Sequence, residues 1–169
     1  MVILGIDPGS IKAGFGLIRI ESGGSITPLH HGAIDLGRGD FSHRLKLLGE
    51  HIDVLIRRWK PNVTVLERIF LGKNADSAFK LGHARGVCMY EAKKGGGQIV
   101  EYAAREVKKG ITGKGNAEKE QVALLVMASL GLSMKNRPPL DATDALALAF
   151  HHAVLLQVRT RLGSNDLSL

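Results

Sequence analysis

The sequence predicts an α/β domain built on one mixed β-sheet, in which three antiparallel strands are followed by parallel ones. Three observations predict it. Val2-Ile3-Leu4-Gly5-Ile6-Asp7 and Asn62-Val63-Thr64-Val65-Leu66-Glu67 are strand-length runs of apolar, often β-branched residues, and each ends in a carboxylate. Between them, Leu45, Leu48, Ile52, Leu55 and Ile56 recur at spacings of three and four, as on one face of an amphipathic helix. A helix linking two such strands implies a crossover and parallel pairing, which brings Asp7 and Glu67 to the same edge of the sheet.

The elements follow in order. Pro8 stops pairing after the first strand, and Gly9 permits the turn. Ala13 to Ile20 reads as a second strand, Glu21-Ser22-Gly23-Gly24-Ser25 as a turn, and Ile26 to Ile34 as a third strand, giving an antiparallel meander. Asp40 or Ser42 offers an N-cap for the first helix, Arg57, Arg58 and Lys60 suit the negative end of its dipole, and Pro61 ends it. Asn74 or Asp76 caps a second helix over about 77–93. Its Ala78, Gly82 and Gly86 lie four apart on one face, so another backbone approaches there: the chain's own sheet or a second copy of this helix. Gln98 to Tyr102 reads as the fifth strand. The basic stretch that follows ends in Gly113-Lys114-Gly115. It reads either as a solvated loop or as a phosphate-approaching one with Lys108, Lys109 and Lys114, and it lacks the spacing of a nucleotide-binding P-loop. Asn116 caps a further helix, and Asp141 caps the last. His151 and His152 face either solvent or core, and a tail frays from about Gly163.

Composition narrows the function. The chain has 169 residues, with 23 Lys and Arg against 16 Asp and Glu, a net charge of +7. A basic domain of this size suggests a polyanionic partner, nucleic acid first. The single cysteine, Cys88, forms no internal disulfide and reads as inert core. No signal peptide or apolar run of the ~20 residues needed to span a membrane is visible, so the expectation is a cytoplasmic protein without membrane association.

Four carboxylates carry the chemistry. Asp7 and Glu67 end neighbouring strands, where two acids repel unless a cation lies between them. Asp141 and Asp144 are three apart at the start of a helix, hence on one face, although both also suit the positive end of its dipole. An oxygen-only set with no Cys/His cluster suits Mg²⁺ or Mn²⁺ over zinc. Two such ions about 4 Å apart clamp a phosphodiester. Phe70, just beyond Glu67, is either core or a wedge that stacks on a nucleic-acid base.

These residues resemble the bacterial RuvC family of Holliday junction resolvases. The matching blocks are Gly5-Ile6-Asp7-Pro8-Gly9, Glu67 with Phe70, Asn74-Ala75-Asp76-Ser77-Ala78, Leu81-Gly82, and Ala84-Arg85-Gly86-Val87. They continue through Glu101-Tyr102-Ala103-Ala104-Arg105, Val107-Lys108, Gly113 with Gly115, Ala117-Glu118-Lys119, Gln121-Val122, and Asp141-Ala142 with Asp144-Ala145-Leu146-Ala147. The resemblance covers about residues 1–155, a nuclease domain, and leaves 156–169 as a helix end and frayed tail.

The resemblance implies a ribonuclease H-like fold, a mixed five-stranded sheet flanked by helices. It implies a homodimer that nicks four-way junction DNA symmetrically, leaving 5′-phosphate and 3′-hydroxyl ends, and that works with a RuvA–RuvB branch-migration complex. It implies Mg²⁺, with Mn²⁺ as substitute, as two ions per site during catalysis, held by Asp7, Glu67, Asp141 and Asp144. Lys108 and Lys119 join these four as catalytic residues. Phe70, Lys73, Asn74, Lys108, Lys114 and Lys119 are the expected DNA contacts. Three other readings fare worse. A sugar kinase or actin-like ATPase needs a second phosphate loop and a longer chain. A junction-binding module without catalysis predicts a missing carboxylate. A ribonuclease H-type nuclease on another nucleic acid shares the four carboxylates and is the nearest rival.

Overall fold

A computed structural model of the chain describes residues 1–68 and 75–163. Its five strands are β1 (Val2–Asp7), β2 (Lys12–Ile20), β3 (Ile26–Asp35), β4 (Val63–Arg68) and β5 (Gln98–Ala103), and they form one sheet in the order β3-β2-β1-β4-β5. The pairs β1–β2 and β2–β3 are antiparallel, while β1–β4 and β4–β5 are parallel. This is the meander followed by crossovers that the sequence predicts. Pro28 falls in the edge strand β3, where a missing donor is tolerated, opposite a register shift at Leu17/Ile18.

Both faces of the sheet are covered, which explains why β1 and β4 read as continuous apolar runs. Successive residues serve opposite cores. Leu4 and Ile6 pack with Leu48, Ile52 and Ile56 of α1 (Phe41–Trp59) and with Ala84, Cys88 and Ala92 of α2 (Ala75–Lys94). Ile3 packs on the other side with Val107 of α3 (Ala104–Thr112), Val122 and Val126 of α4 (Lys119–Ser129), and Leu146 to Ala149 of α5 (Leu140–Arg161). Burial pushes the Cys88 thiol up to about 12, in keeping with inert core. Among the described residues no helix is long and apolar enough to cross a membrane.

Asp40 caps α1, its Oδ2 accepting from the His43 N–H at 2.9 Å, and Lys60 closes the helix in the left-handed conformation at φ 44°. Four expected boundaries are corrected. The basic stretch after β5 is a helix, α3, rather than a loop. Its start is held by Glu106, whose carboxylate accepts from the Ala103 N–H at 2.8 Å, and Gly113 closes it at φ 77°. Helix α4 is preceded by Glu118 and not capped by Asn116. Helix α5 starts at Leu140 with Pro139 before it, so Asp141 lies inside the first turn and leaves its carboxylate free of capping. The second helix starts at Ala75 rather than near 77, so Asp76 lies inside its first turn and does not cap it; instead it pairs with Lys80 at 2.6 Å.

Candidate active site

Helix α5 crosses the sheet very closely, and glycines permit it. A β-carbon at Gly5 would overlap the Ala145 carbonyl, one at Gly14 the Asp141 carbonyl, and one at Gly16 the Leu146 side chain. The three glycines lie on β1 and β2, with Gly5 paired to Gly16, and form a flat floor for the helix. The first turns of α5 therefore meet the C-terminal edge of the sheet, where the strand carboxylates emerge.

Asp7 and Glu67 come next to each other on that edge. Parallel pairing runs through Ile6 and Leu66, and the two acids are the following residues. Burial pushes Asp7 up to about 7, aided by the negative charges of Asp144, Glu67 and Asp141 and opposed by Lys119. Glu67 is also raised, first by burial; Lys119 and Lys108 oppose the rise while Asp144 adds to it. The Lys119 Nζ lies 2.6 Å from Asp144 Oδ2, and Lys119 is held more basic than usual, first by that hydrogen bond. Glu67, Lys108, Lys119 and Asp144 line one cavity of about 160 Å³. Thus all four predicted carboxylates and two of the predicted lysines act on one another at a single locus.

Among the described residues no three carboxylate, imidazole or thiol groups converge as a ready ligand set for one ion. The Lys119 ammonium is the cation that meets Asp144. The donor set nevertheless fits a hard divalent cation: four carboxylates, a partly neutralising lysine, and an Asp7 whose charge is poorly compensated.

The remaining predicted residues fare differently. Lys114 is exposed, in a turn built by Thr112, whose Oγ1 donates to the Lys114 carbonyl at 2.9 Å and accepts from its N–H at 3.0 Å. No contact between Lys114 and the carboxylates is observed among these bonds. Phe70, Lys73 and Asn74 lie outside the described residues. Gly82 and Gly86 resolve one alternative, because among the described residues a β-carbon at either meets nothing within 4 Å, so the chain's own sheet is not what approaches them.

His151 and His152 take the core alternative, each only 7 % exposed. His152 Nδ1 and the Tyr102 hydroxyl share a 2.7 Å hydrogen bond, and the Tyr102 ring meets His151 edge-on at 4.7 Å. The roles of this cluster, of the glycine floor and of Arg85 escaped the sequence reading. An alternating run of glycines in apolar strands was the available signal for the floor.

The chain resembles known proteins over nearly its whole length. The family model described as crossover junction endodeoxyribonuclease RuvC matches residues 3–152. Crossover junction endodeoxyribonuclease RuvC of Bdellovibrio bacteriovorus is 51% identical over 154 residues, covering 90% of each chain. That of Xanthomonas axonopodis pv. citri is 45% identical over 164 residues, covering 96% of this chain and 93% of the relative. Among solved structures, T. thermophilus RuvC in complex with Holliday junction substrate superposes with a TM-score of 0.81 at 28% identity, over 97% of this chain and 98% of that one. The yeast mitochondrial Holliday junction resolvase Ydc2 shares the fold, with a TM-score of 0.70 at 12% identity over 98% and 84% of the two chains. The fold is thus the ribonuclease H-like one of the resolvases.

Proposed function

The chain belongs to the RuvC family of crossover junction endodeoxyribonucleases, and from that membership we propose that it resolves four-way DNA junctions, nicking two strands of like polarity to leave 5′-phosphate and 3′-hydroxyl ends. The observation that carries this reading is that Asp7 and Glu67, each the residue after the last β1–β4 pair, stand side by side at one sheet edge, facing Asp144 and Lys119 of the opposite helices.

Nucleases of this family depend on a divalent cation. Mg²⁺ is the ion proposed here, with Mn²⁺ as substitute and two ions per site during catalysis; Asp7, Glu67, Asp141 and Asp144 would hold them. When bound, such ions polarise the scissile phosphate and activate the attacking water. The protein groups do the rest. Glu67 and Asp7 orient the site because each is itself held in a strand ladder, Asp7 opposite Gly14 and Glu67 opposite Tyr102. Lys119 neutralises part of the acidic cluster before substrate arrives, and Lys108 sits beside Glu67. Both ammonium groups suit a phosphate whose charge grows in the transition state. Phe70 is the proposed stacking residue, with Lys73, Asn74 and Lys114 as further DNA contacts.

The protein acts as a homodimer in this reading, because a symmetric pair of nicks needs two sites. The support is a groove of about 910 Å³ between α1 and α2, floored by Gly82 and Gly86 and flanked by Phe79 and Tyr90, which are 68% and 66% exposed. A RuvA–RuvB branch-migration complex is the proposed supplier of mobile junctions. The test is cleavage of a synthetic mobile four-way junction with Mg²⁺ or with EDTA, beside linear duplex and an RNA–DNA hybrid. Paired, metal-dependent nicks in the junction alone are expected. Cutting of the hybrid instead would move the function to a ribonuclease H.

A further inference from the structure

Arg85 lies on α2 between Ala84 and the buried Cys88, and its side chain is only 16% exposed. An arginine so placed needs partners, and it has them on two strands. Its Nε donates to the main-chain oxygen of Glu67 at 3.2 Å. Its Nη2 pairs with the carboxylate of Glu101 on β5. Glu101 stands opposite Leu66 in the register, and its main-chain oxygen accepts from Arg68 Nη2 at 3.4 Å. One guanidinium thus joins α2 to the end of β4 and to the strand beside it.

The need for such a tie follows from the geometry of the edge. Ladder pairing between β1 and β4 stops at Ile6 and Leu66. Glu67 is the next residue, and its carboxylate is repelled by Asp144 while Asp7 crowds it from the neighbouring strand. Its backbone is held by β5 on one side and by Arg85 from α2. A charged donor makes a stronger and more directional bond than a neutral one. The planar guanidinium serves both partners at once, which a lysine ammonium cannot do with the same geometry.

We propose that Arg85 is a positioning residue for Glu67: by bonding the Glu67 carbonyl while anchored on Glu101, it fixes where the Glu67 carboxylate stands in the acidic cluster. The inference rests on the nuclease reading of that cluster. Arg85 itself touches no reacting atom in this scheme. Its effect is on rate and on cation affinity, and not on DNA binding.

The test uses the full chain with Arg85→Ala, Arg85→Lys and Glu101→Gln, and Glu67→Gln as a reference. Three quantities are measured: single-turnover cleavage of a mobile four-way junction with Mn²⁺, junction affinity in EDTA, and Mn²⁺ affinity of the free protein by titration calorimetry. Arg85→Ala is expected to lose about 10–100-fold in rate and a comparable factor in Mn²⁺ affinity. Junction affinity in EDTA should stay within about twofold, because the basic surface that supplies it is untouched. Arg85→Lys keeps the charge but loses the planar two-partner fit, so its defect should persist. Glu101→Gln leaves the bond to Glu67 and should be milder. Arg85→Lys with wild-type rate and Mn²⁺ affinity overturns the inference, and so does a rate loss matched by an equal loss of junction affinity. Should Arg85→Ala fail to fold, Arg85→Lys and Glu101→Gln decide. A wild-type chain that does not cut the junction sinks the nuclease reading instead. A wild type that cuts, beside an inactive Glu67→Gln and an unaffected Arg85→Lys, sinks only the role of Arg85.

Discussion

Lys119 Nζ lies 2.6 Å from Asp144 Oδ2 and so joins the start of α4 to the second turn of α5 at the acidic cluster. Two roles follow from this one contact. The ammonium partly neutralises acids that repel one another, and it stands where a divalent cation would compete for Asp144. Lys119→Met should therefore slow junction cleavage by about 10²–10³-fold, the usual cost of removing a preorganised positive group from a phosphoryl site. Metal affinity should not fall, because the competing charge is gone. Cleavage rates and Mn²⁺ calorimetry on the same preparation check both statements. A variant that loses metal affinity as well as rate would show that Lys119 supports the cation site.

Asp7 links stability to pH with an unusual sign. Its value rises from 3.8 to about 7 on folding, first through burial. The folded state therefore holds the proton more tightly than the unfolded chain. Stability conferred by the neutral acid is complete below about 4 and is lost as pH rises towards 7. At about 1.4 kcal/mol per pH unit this amounts to a few kcal/mol. In EDTA at pH 8, Asp7→Asn should raise the melting temperature by about 3–8 °C over wild type. The gain should shrink towards pH 4. Cleavage should be abolished while junction binding is largely kept. Adding Mn²⁺ at pH 8 should stabilise the wild type and leave Asp7→Asn nearly unchanged. Equal melting temperatures in EDTA would mean that Asp7 is not strained as an anion.

The glycine floor predicts a mutation that acts on the site without touching a carboxylate. A β-carbon at Gly14 would overlap the Asp141 carbonyl. Gly14→Ala must lift the first turn of α5 from β2, at a cost of about 1–3 kcal/mol. It also moves Asp141 and Asp144 relative to Asp7, and displacements of this size lower rates by about 100-fold. Gly23→Ala is the control, since among the described residues nothing lies within 4 Å of a β-carbon there. Thermal melts and single-turnover cleavage of both variants give the answer. An active, stable Gly14→Ala would show that α5 is free to shift.

The buried histidines give a second pH effect of opposite direction. Burial lowers His151 and His152 below the ordinary value of 6.5. The unfolded chain then takes up protons first, so stability is complete above about 6.5 and is lost as pH falls below it. His152→Gln keeps a partner for the Tyr102 hydroxyl and removes one titration. It should be less stable than wild type at pH 8, by about 1 kcal/mol, yet lose less between pH 6.5 and 5. Denaturant melts at those three pH values test this. Parallel losses for both proteins would remove His152 as a contributor.

Much of this arrangement is legible in the sequence because local and global signals agree. Val2 to Asp7 and Val63 to Glu67 are short apolar runs with a polar stop, and a crossover helix between them leaves little choice of topology. The same logic brings Asp7 and Glu67 together. What stays hidden depends on tertiary contact. Helix α3 is masked by its lysines and by Gly110, whose missing side chain makes room for the His151 ring. The start of α5 is misread because Asp141 is a good cap by composition, while Pro139, one residue before the helix, takes that place. Arg85 looks like any charged helix residue until Glu67 and Glu101 are seen beneath it.

Gly82 offers the clearest test of pairing between copies. It lies on the floor of the α1–α2 groove, and among the described residues nothing outside its own stretch of helix lies within 4 Å of a β-carbon there. Gly82→Arg should therefore leave the monomer folded, with helix propensity even improved by up to about 1 kcal/mol. In a dimer closed through this groove, the same guanidinium would enter an apolar contact against a second helix, where an unpaired charge is strongly disfavoured. Light scattering coupled to size exclusion should find a homodimer for the wild type and a monomer for Gly82→Arg. Paired nicking of the junction should be lost with the dimer, since each chain carries one set of carboxylates. A Gly82→Arg protein that remains dimeric and still makes paired nicks would move the interface to another face of the molecule.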